Sequence, residues 1–178
     1  MKRFFFLVLI FQNAFSQEIP LNVQKLIKAY PDQIVGYKDN KIIFSDKSNL
    51  IYDDFKNKTN QELLDNPDIE DQFKFVYNRA NKNSIPKEDA GRIRNEAFFK
   101  KIYGNSKSEV ESKMTEIIWC PKLVNQRIRV TTVNGIDKIV KKLSAELDNN
   151  PEFKKYITAI GGTFSWRKIS GTNRLSMH

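Results

Sequence analysis

The chain has 178 residues, with 30 Lys and Arg against 21 Asp and Glu, a formal net charge of +9 and a single cysteine. One cysteine excludes an internal disulfide, so the fold rests on packing or on a metal. The charge suits an anionic cell wall, membrane head groups or nucleic acid alike, but no zinc finger, RNP-type strand or similar signature is present, and no nucleic-acid partner is expected.

Met1-Lys2-Arg3 supplies a short positive stretch, and Phe4 to Phe11 follows as an unbroken apolar run. The run is shorter than the roughly 20 residues that span a bilayer. With small residues at Ala14 and Ser16 it has the form of a secretory signal peptide, with cleavage expected after Ser16. Residues 1–16 are therefore predicted to be a signal peptide, and the protein to be exported, periplasmic or secreted, with no transmembrane segment after cleavage. The remaining 162 of the 178 residues suit one domain, and loss of Lys2 and Arg3 lowers the net charge by two.

Apolar residues at Val23, Leu26, Ile27 and Tyr30 have helical spacing, and Pro31 stops the helix. Ile34 to Tyr37, Lys41 to Phe44 and Asn49 to Tyr52 read as an antiparallel meander, its first turn at Asp39-Asn40, a pair that tolerates positive φ. Residues 60–65 and 68–80 look helical, broken around Pro67. Asn78 to Asp89 is a polar loop or linker. A helical stripe of Ile93, Ala97, Phe98 and Ile102 runs from Gly91 to Gly104, and Ser106 with Glu109 resembles a capping box for a helix reaching about Met114.

The second half predicts strands over Thr115 to Cys120 and Arg127 to Thr132, the latter alternating Ile128 and Val130 with Arg127 and Arg129. Cys120, at the end of an apolar run, reads as a buried small hydrophobe rather than a reactive thiol. Asn134-Gly135 ends the second strand. Ile136, Ile139, Val140, Leu143 and Leu147 then share a helical face expected to cover the sheet. Phe153 to Ile157 is a short helical turn, and Gly161-Gly162 leads into a last strand, Thr163 to Ile169. The fold class is α+β: an antiparallel sheet with helices packed on one side, plus the N-terminal meander. Residues 17–90 form an N-terminal region, a prodomain-like cap or part of the core, and 91–178 a second portion.

The end of the chain carries the most specific pattern, Trp166-Arg167 followed by Ser176-Met177-His178. It resembles the zinc D-alanyl-D-alanine carboxypeptidases and related L-alanyl-D-glutamate endopeptidases (VanY-type), in which an arginine-bearing strand leads through a loop into Ser-x-His-x-x-Gly-x-Ala-x-Asp. Gly171-Thr172 and Arg174-Leu175-Ser176, with stretches Gly36 to Asp54, Glu62 to Phe73 and Val130 to Leu147, look like the exported Gram-negative branch. The resemblance implies a Zn2+-dependent metallopeptidase acting on peptidoglycan stem peptides, with residues 91–178 the N-terminal portion of its peptidase domain. It makes His178 the first zinc ligand, Arg167 the catalytic arginine facing the substrate carbonyl or carboxylate, and Ser176 a supporting residue that holds the loop or orients the imidazole. A catalytic zinc takes three protein ligands, and the family's later aspartate, histidine and acidic base are absent from these residues. The 178-residue chain alone is thus expected to be an inactive N-terminal portion that binds zinc weakly. Carboxypeptidase and endopeptidase specificity both stay open, and the alternative function is a non-catalytic wall-binding or interaction module.

Overall fold

The computed structural model describes residues 18–75 and 91–176. The predicted signal peptide, the polar stretch 78–89 and His178 lie outside the described residues. Six α-helices and five strands are present among the described residues, the strands forming one three-stranded and one two-stranded antiparallel sheet. The α+β expectation is borne out.

Helix α1 (Leu21–Ala29) buries Val23 and Leu26 and ends where Pro31 has no N–H to continue it. Strands β1 (Ile34–Lys38), β2 (Lys41–Phe44) and β3 (Asn49–Ile51) form the predicted meander. Asp39 and Asn40 take φ values of 49° and 56° between Lys38 and Lys41, which pair in register. Two positive φ values in succession define the tight turn that matches the twist of the flanking strands. A core of Val23, Ile34, Ile42, Phe44, Tyr52 and Ile69 fills beneath this sheet. Phe98, Ile102 and Val133, from beyond residue 90, complete it, so the meander's apolar face is covered by later parts of the chain.

Helix α2 (Asn60–Asp65) starts at a full capping box, with Thr59 and Glu62 bonding each other's backbone N–H. The helix expected over 68–80 is present, among the described residues, only as a 3-10 turn at Glu70–Phe73. Its N–H groups are claimed elsewhere. Ile69 and Glu70 donate to the Tyr52 carbonyl, and Asp68 and Asp71 accept each other's backbone N–H, which competes with a regular helix.

Helix α3 (Glu96–Tyr103) starts later than the Gly91 expected, because Asn95 caps it by accepting from Phe98 N at 2.8 Å. Gly104 closes it at φ 140°, where a Cβ would come within 2.9 Å of Glu109 Cβ. Helix α4 (Lys107–Ser112) is capped by Ser106, while the Glu109 carboxylate reaches back to Asn105 N rather than to the cap residue itself.

Strands β4 (Met114–Trp119) and β5 (Gln126–Thr131) pair from Met114–Thr131 to Trp119–Gln126. Helix α5 (Ile136–Asp148) covers them, but not with the predicted face. Asp137, Ser144 and Asp148 are buried, with Val140 and Leu147 packed beside the sheet, whereas Ile139 is 61% and Leu143 46% exposed. The helix is turned by roughly a quarter of a turn from the purely apolar expectation. Polar anchors decide the rotation. Ser144 Oγ accepts Cys120 N–H at 2.7 Å, and the Asp148 carboxylate accepts the N–H groups of Lys122 and Leu123 at 2.8–3.0 Å. These would be orphaned buried donors if the helix turned to hide Ile139. Cys120 is fully buried, and burial pushes its thiol pKa up, as a packed, unreactive thiol requires.

After the short α6 (Lys154–Ile157), the Gln126 side chain holds Ile160 from both sides, donating to its carbonyl at 2.7 Å and accepting from its N–H at 3.2 Å. The strand expected over Thr163 to Ile169 does not form. Only an isolated bridge joins Lys168 to Leu175, because the segment folds back on itself at Gly171 and pairs with its own return. Its tie to β5 is through the Thr163 hydroxyl, which donates to the Arg129 carbonyl.

Candidate functional site

A cleft of about 420 Å³ lies where the returning terminal segment meets α3, α4 and the ends of β4 and β5. One wall is Thr163 to Arg167 with Leu175 and Ser176; the other is Arg94, Phe99, Lys100, Tyr103 and Gly104, with Val110, Met114 and Thr131 closing it.

Two of the three residues singled out from the sequence meet here. Arg167 and Ser176 both line the cleft, and Ser176 N–H donates to the Arg167 carbonyl at 3.0 Å. This backbone bond, with the bond from Ile169 N–H to the Arg174 carbonyl at 2.9 Å, holds the two ends of the motif side by side. Arg167 is exposed and makes no ion pair among the described residues, so its guanidinium is available to a ligand. His178 lies outside the described residues.

The terminal segment is fastened by acids at the start of α3 and the end of α2. Glu96 accepts Leu175 N–H at 3.0 Å and pairs with Lys100 at 2.6 Å, and Arg174 bonds Asp65 at 3.2 Å. Burial alone would raise the Glu96 pKa, but the bonds from Lys100 and from Leu175 N–H outweigh it and hold the carboxyl below its ordinary range. Glu96 is therefore an ionised clamp and a poor proton donor. Tyr103, by contrast, is pushed up to about 12 by burial and by its neighbour Tyr30, so it presents a neutral hydroxyl at all physiological pH values.

The aromatic wall was not predicted as part of a site. Phe99 and Tyr103 stack with centroids 6.2 Å apart and planes 9° from parallel, and the Arg94 guanidinium lies 5.5 Å over the Phe99 ring. In the sequence, the apolar residues of this helix read as core, which holds for Phe98 and Ile102. The only sequence signal for the second face was the i,i+4 spacing of Phe99 and Tyr103, one step out of phase with the buried pair.

Metal donors gather elsewhere. Asp53, Asp54 and Asp68, and again Asp68, Glu70 and Asp71, are close enough to share an ion. The Lys58 ammonium already serves that position, 2.9 Å from Asp54, 2.9 Å from Asp68 and 2.6 Å from Asp71, with its side chain only 6% exposed. Burial works to lower the Lys58 pKa, yet the bonds to Asp71, Asp54 and Asp68 raise it above the ordinary lysine value. The cluster is a buried ion-pair network, and no such trio borders the cleft among the described residues. No protein-family model, curated protein or solved structure matches this chain. Among the described residues no helix is long and apolar enough to cross a membrane.

Proposed function

We propose that the chain is the recognition part of an exported, zinc-dependent peptidoglycan peptidase, and that its cleft binds stem peptides through the Arg167 guanidinium. The supporting observation is that Arg167 and Ser176, nine positions apart, lie bonded on one wall of the cleft beside Trp166. A guanidinium fork suits a carboxylate or a polarised peptide carbonyl, and the Trp166, Phe164 and Phe99 side chains offer apolar surface for the rest of a short peptide.

Under the resemblance, His178, two residues past Ser176, is the first zinc ligand. The described residues around the cleft do not fit a zinc centre, because they bring no group of three donors to it. The chemistry of the cleft's own residues is recognition, and the 178-residue chain is expected to bind a stem peptide without cleaving it. The basic charge of the chain favours residence at an anionic wall.

Titration of the full chain with an N-acetylated peptide ending in D-Ala-D-Ala, followed by Trp fluorescence, tests this reading. Saturable binding is expected, weakened about tenfold or more by Arg167→Ala, as for loss of one charge-assisted contact of ~1.5 to 3 kcal/mol. A wild-type chain that shows no saturable response overturns the proposal. The second reading, a wall-binding module with no catalytic role, is favoured by Lys58 pairing with members of both acidic trios among the described residues, Asp54, Asp68 and Asp71. Release of D-alanine that requires zinc and is abolished by EDTA, measured on a longer polypeptide containing this chain, would exclude it.

A further inference from the structure

The cleft contains a second guanidinium that the C-terminal motif does not account for. Arg94 lines the wall opposite the terminal segment, just ahead of α3. Its Nε is buried and has no hydrogen-bond partner, and it forms no ion pair among the described residues. An arginine keeps its charge and its five donors under all conditions a folded protein meets, and a buried donor with no acceptor is a penalty that proteins rarely leave in place without a use. The Arg94 plane is positioned by its contact over Phe99, itself stacked on Tyr103. The neighbouring cation, Lys100, is neutralised by Glu96 at 2.6 Å. Arg94 and Arg167 thus face one cleft from two walls, each without an acidic partner among the described residues.

We propose that Arg94 is a second carboxylate-binding residue and that the cleft selects short peptides carrying two carboxylates, one held by Arg167 and the other by Arg94. The inference rests on the peptide-binding reading above. The two guanidiniums come from separate parts of the chain, so each carboxylate is recognised by an independently held group, and losing one arginine removes selectivity for one carboxylate only. The aromatic side chains that line the same cleft, Phe99 beside Arg94 and Trp166 beside Arg167, take the apolar part of the same peptide.

Three N-acetylated tetrapeptides ending in D-Ala-D-Ala test it on the full chain: one with a glutamyl side-chain carboxylate and a free C-terminus, its side-chain amide, and its C-terminal amide. The wild-type chain should bind the diacid at least tenfold more tightly than either amide. Arg94→Gln should abolish the preference against one amide and keep the other, Arg167→Ala should do the converse, and Arg94→Lys, which keeps the charge but not the fork, should restore part of the lost preference. Equal binding of all three peptides by the wild type overturns the inference. So does an Arg94→Gln protein that weakens all three equally, as simple loosening of α3 would. Binding that depends on Arg167 and ignores Arg94 overturns this inference and leaves the peptide-binding reading standing; no binding by the wild type overturns both.

Discussion

The meander and the terminal segment are held by different forces. The meander's core buries Ile42, Phe44, Phe98 and Ile102 to 2% exposure or less, with Phe98 edge-on to Tyr30 and Phe99 at 5.7 and 5.8 Å. No residue from Gly161 to Ser176 is buried. That segment is fastened by hydrogen bonds and one ion pair, through Thr163, Leu175 and Arg174. Burial of apolar area is worth far more per residue than exposed polar contacts. Among the described residues, the segment bearing Arg167 and Ser176 is therefore held less firmly than the meander, and ligand-binding segments are commonly drawn from that end of the stability range.

Three changes sharpen this contrast. The largest effect is expected for Phe98→Ala, which empties a site shared by the meander and α3 and should cost about 3 to 5 kcal/mol, lowering Tm by on the order of 10 °C. Thermal melting monitored by circular dichroism checks it, and a shift within a few degrees would show that the two halves of that core are not coupled.

Lys58→Met should come next, at about 3 kcal/mol near neutral pH, because it leaves Asp54, Asp68 and Asp71 facing one another without their cation. The pH dependence has a definite sign. Bonds from Lys58 lower the Asp54 pKa from 3.8 to about 2, so its contribution is full above the ordinary carboxylate value and is lost as pH falls through about 2. Lys58 has a raised pKa, so its contribution is full below the ordinary lysine value and is lost only as pH rises beyond it. Denaturant titrations of wild type and variant should converge between pH 5 and pH 2. A constant gap across that range would mean that the network contributes through packing alone.

The smallest effect on stability is expected for Arg174→Ala. Its partner Asp65 is half exposed, and such a pair is worth about 0 to 1 kcal/mol. Tm should move by less than about 3 °C, while hydrogen exchange at the amides of Ile169 and Ser176 speeds up. A Tm loss as large as that of Phe98→Ala would mean the terminal segment is part of the core after all.

Much of the architecture was legible because it is written in local chemistry. Asp39-Asn40 at positive φ, Pro31 after α1, Ser106 capping α4, and the alternation around Ile128 and Val130 each settle a turn, an end or a face with no distant partner. The failures share one cause. Helical periodicity points α5 inward by its most apolar face, but Ser144 and Asp148 satisfy three backbone N–H groups after β4, and that need outweighs hiding Ile139 and Leu143. The expected 68–80 helix was shortened by the Tyr52 carbonyl and by the Asp68–Asp71 exchange. Thr163 to Ile169 had the composition of a strand, yet a strand needs a partner along its length, and β5 is reached only by a hydroxyl.

The candidate site divides in the same way. By itself the sequence determined the residue types at Trp166, Arg167 and Ser176, the hairpin turn at Asp39-Asn40, and the α+β class. The tertiary structure alone decided that Arg167 and Ser176 share a wall, that Phe99 and Tyr103 face a cleft while Phe98 next to them is core, that Lys58 sits among three carboxylates, and that Arg94 and Arg167 line one cleft. The reason is physical. Helical and strand periods, caps and turns act over a few residues, whereas a buried hydrogen bond or a guanidinium left without an acid depends on what the folded chain brings alongside it.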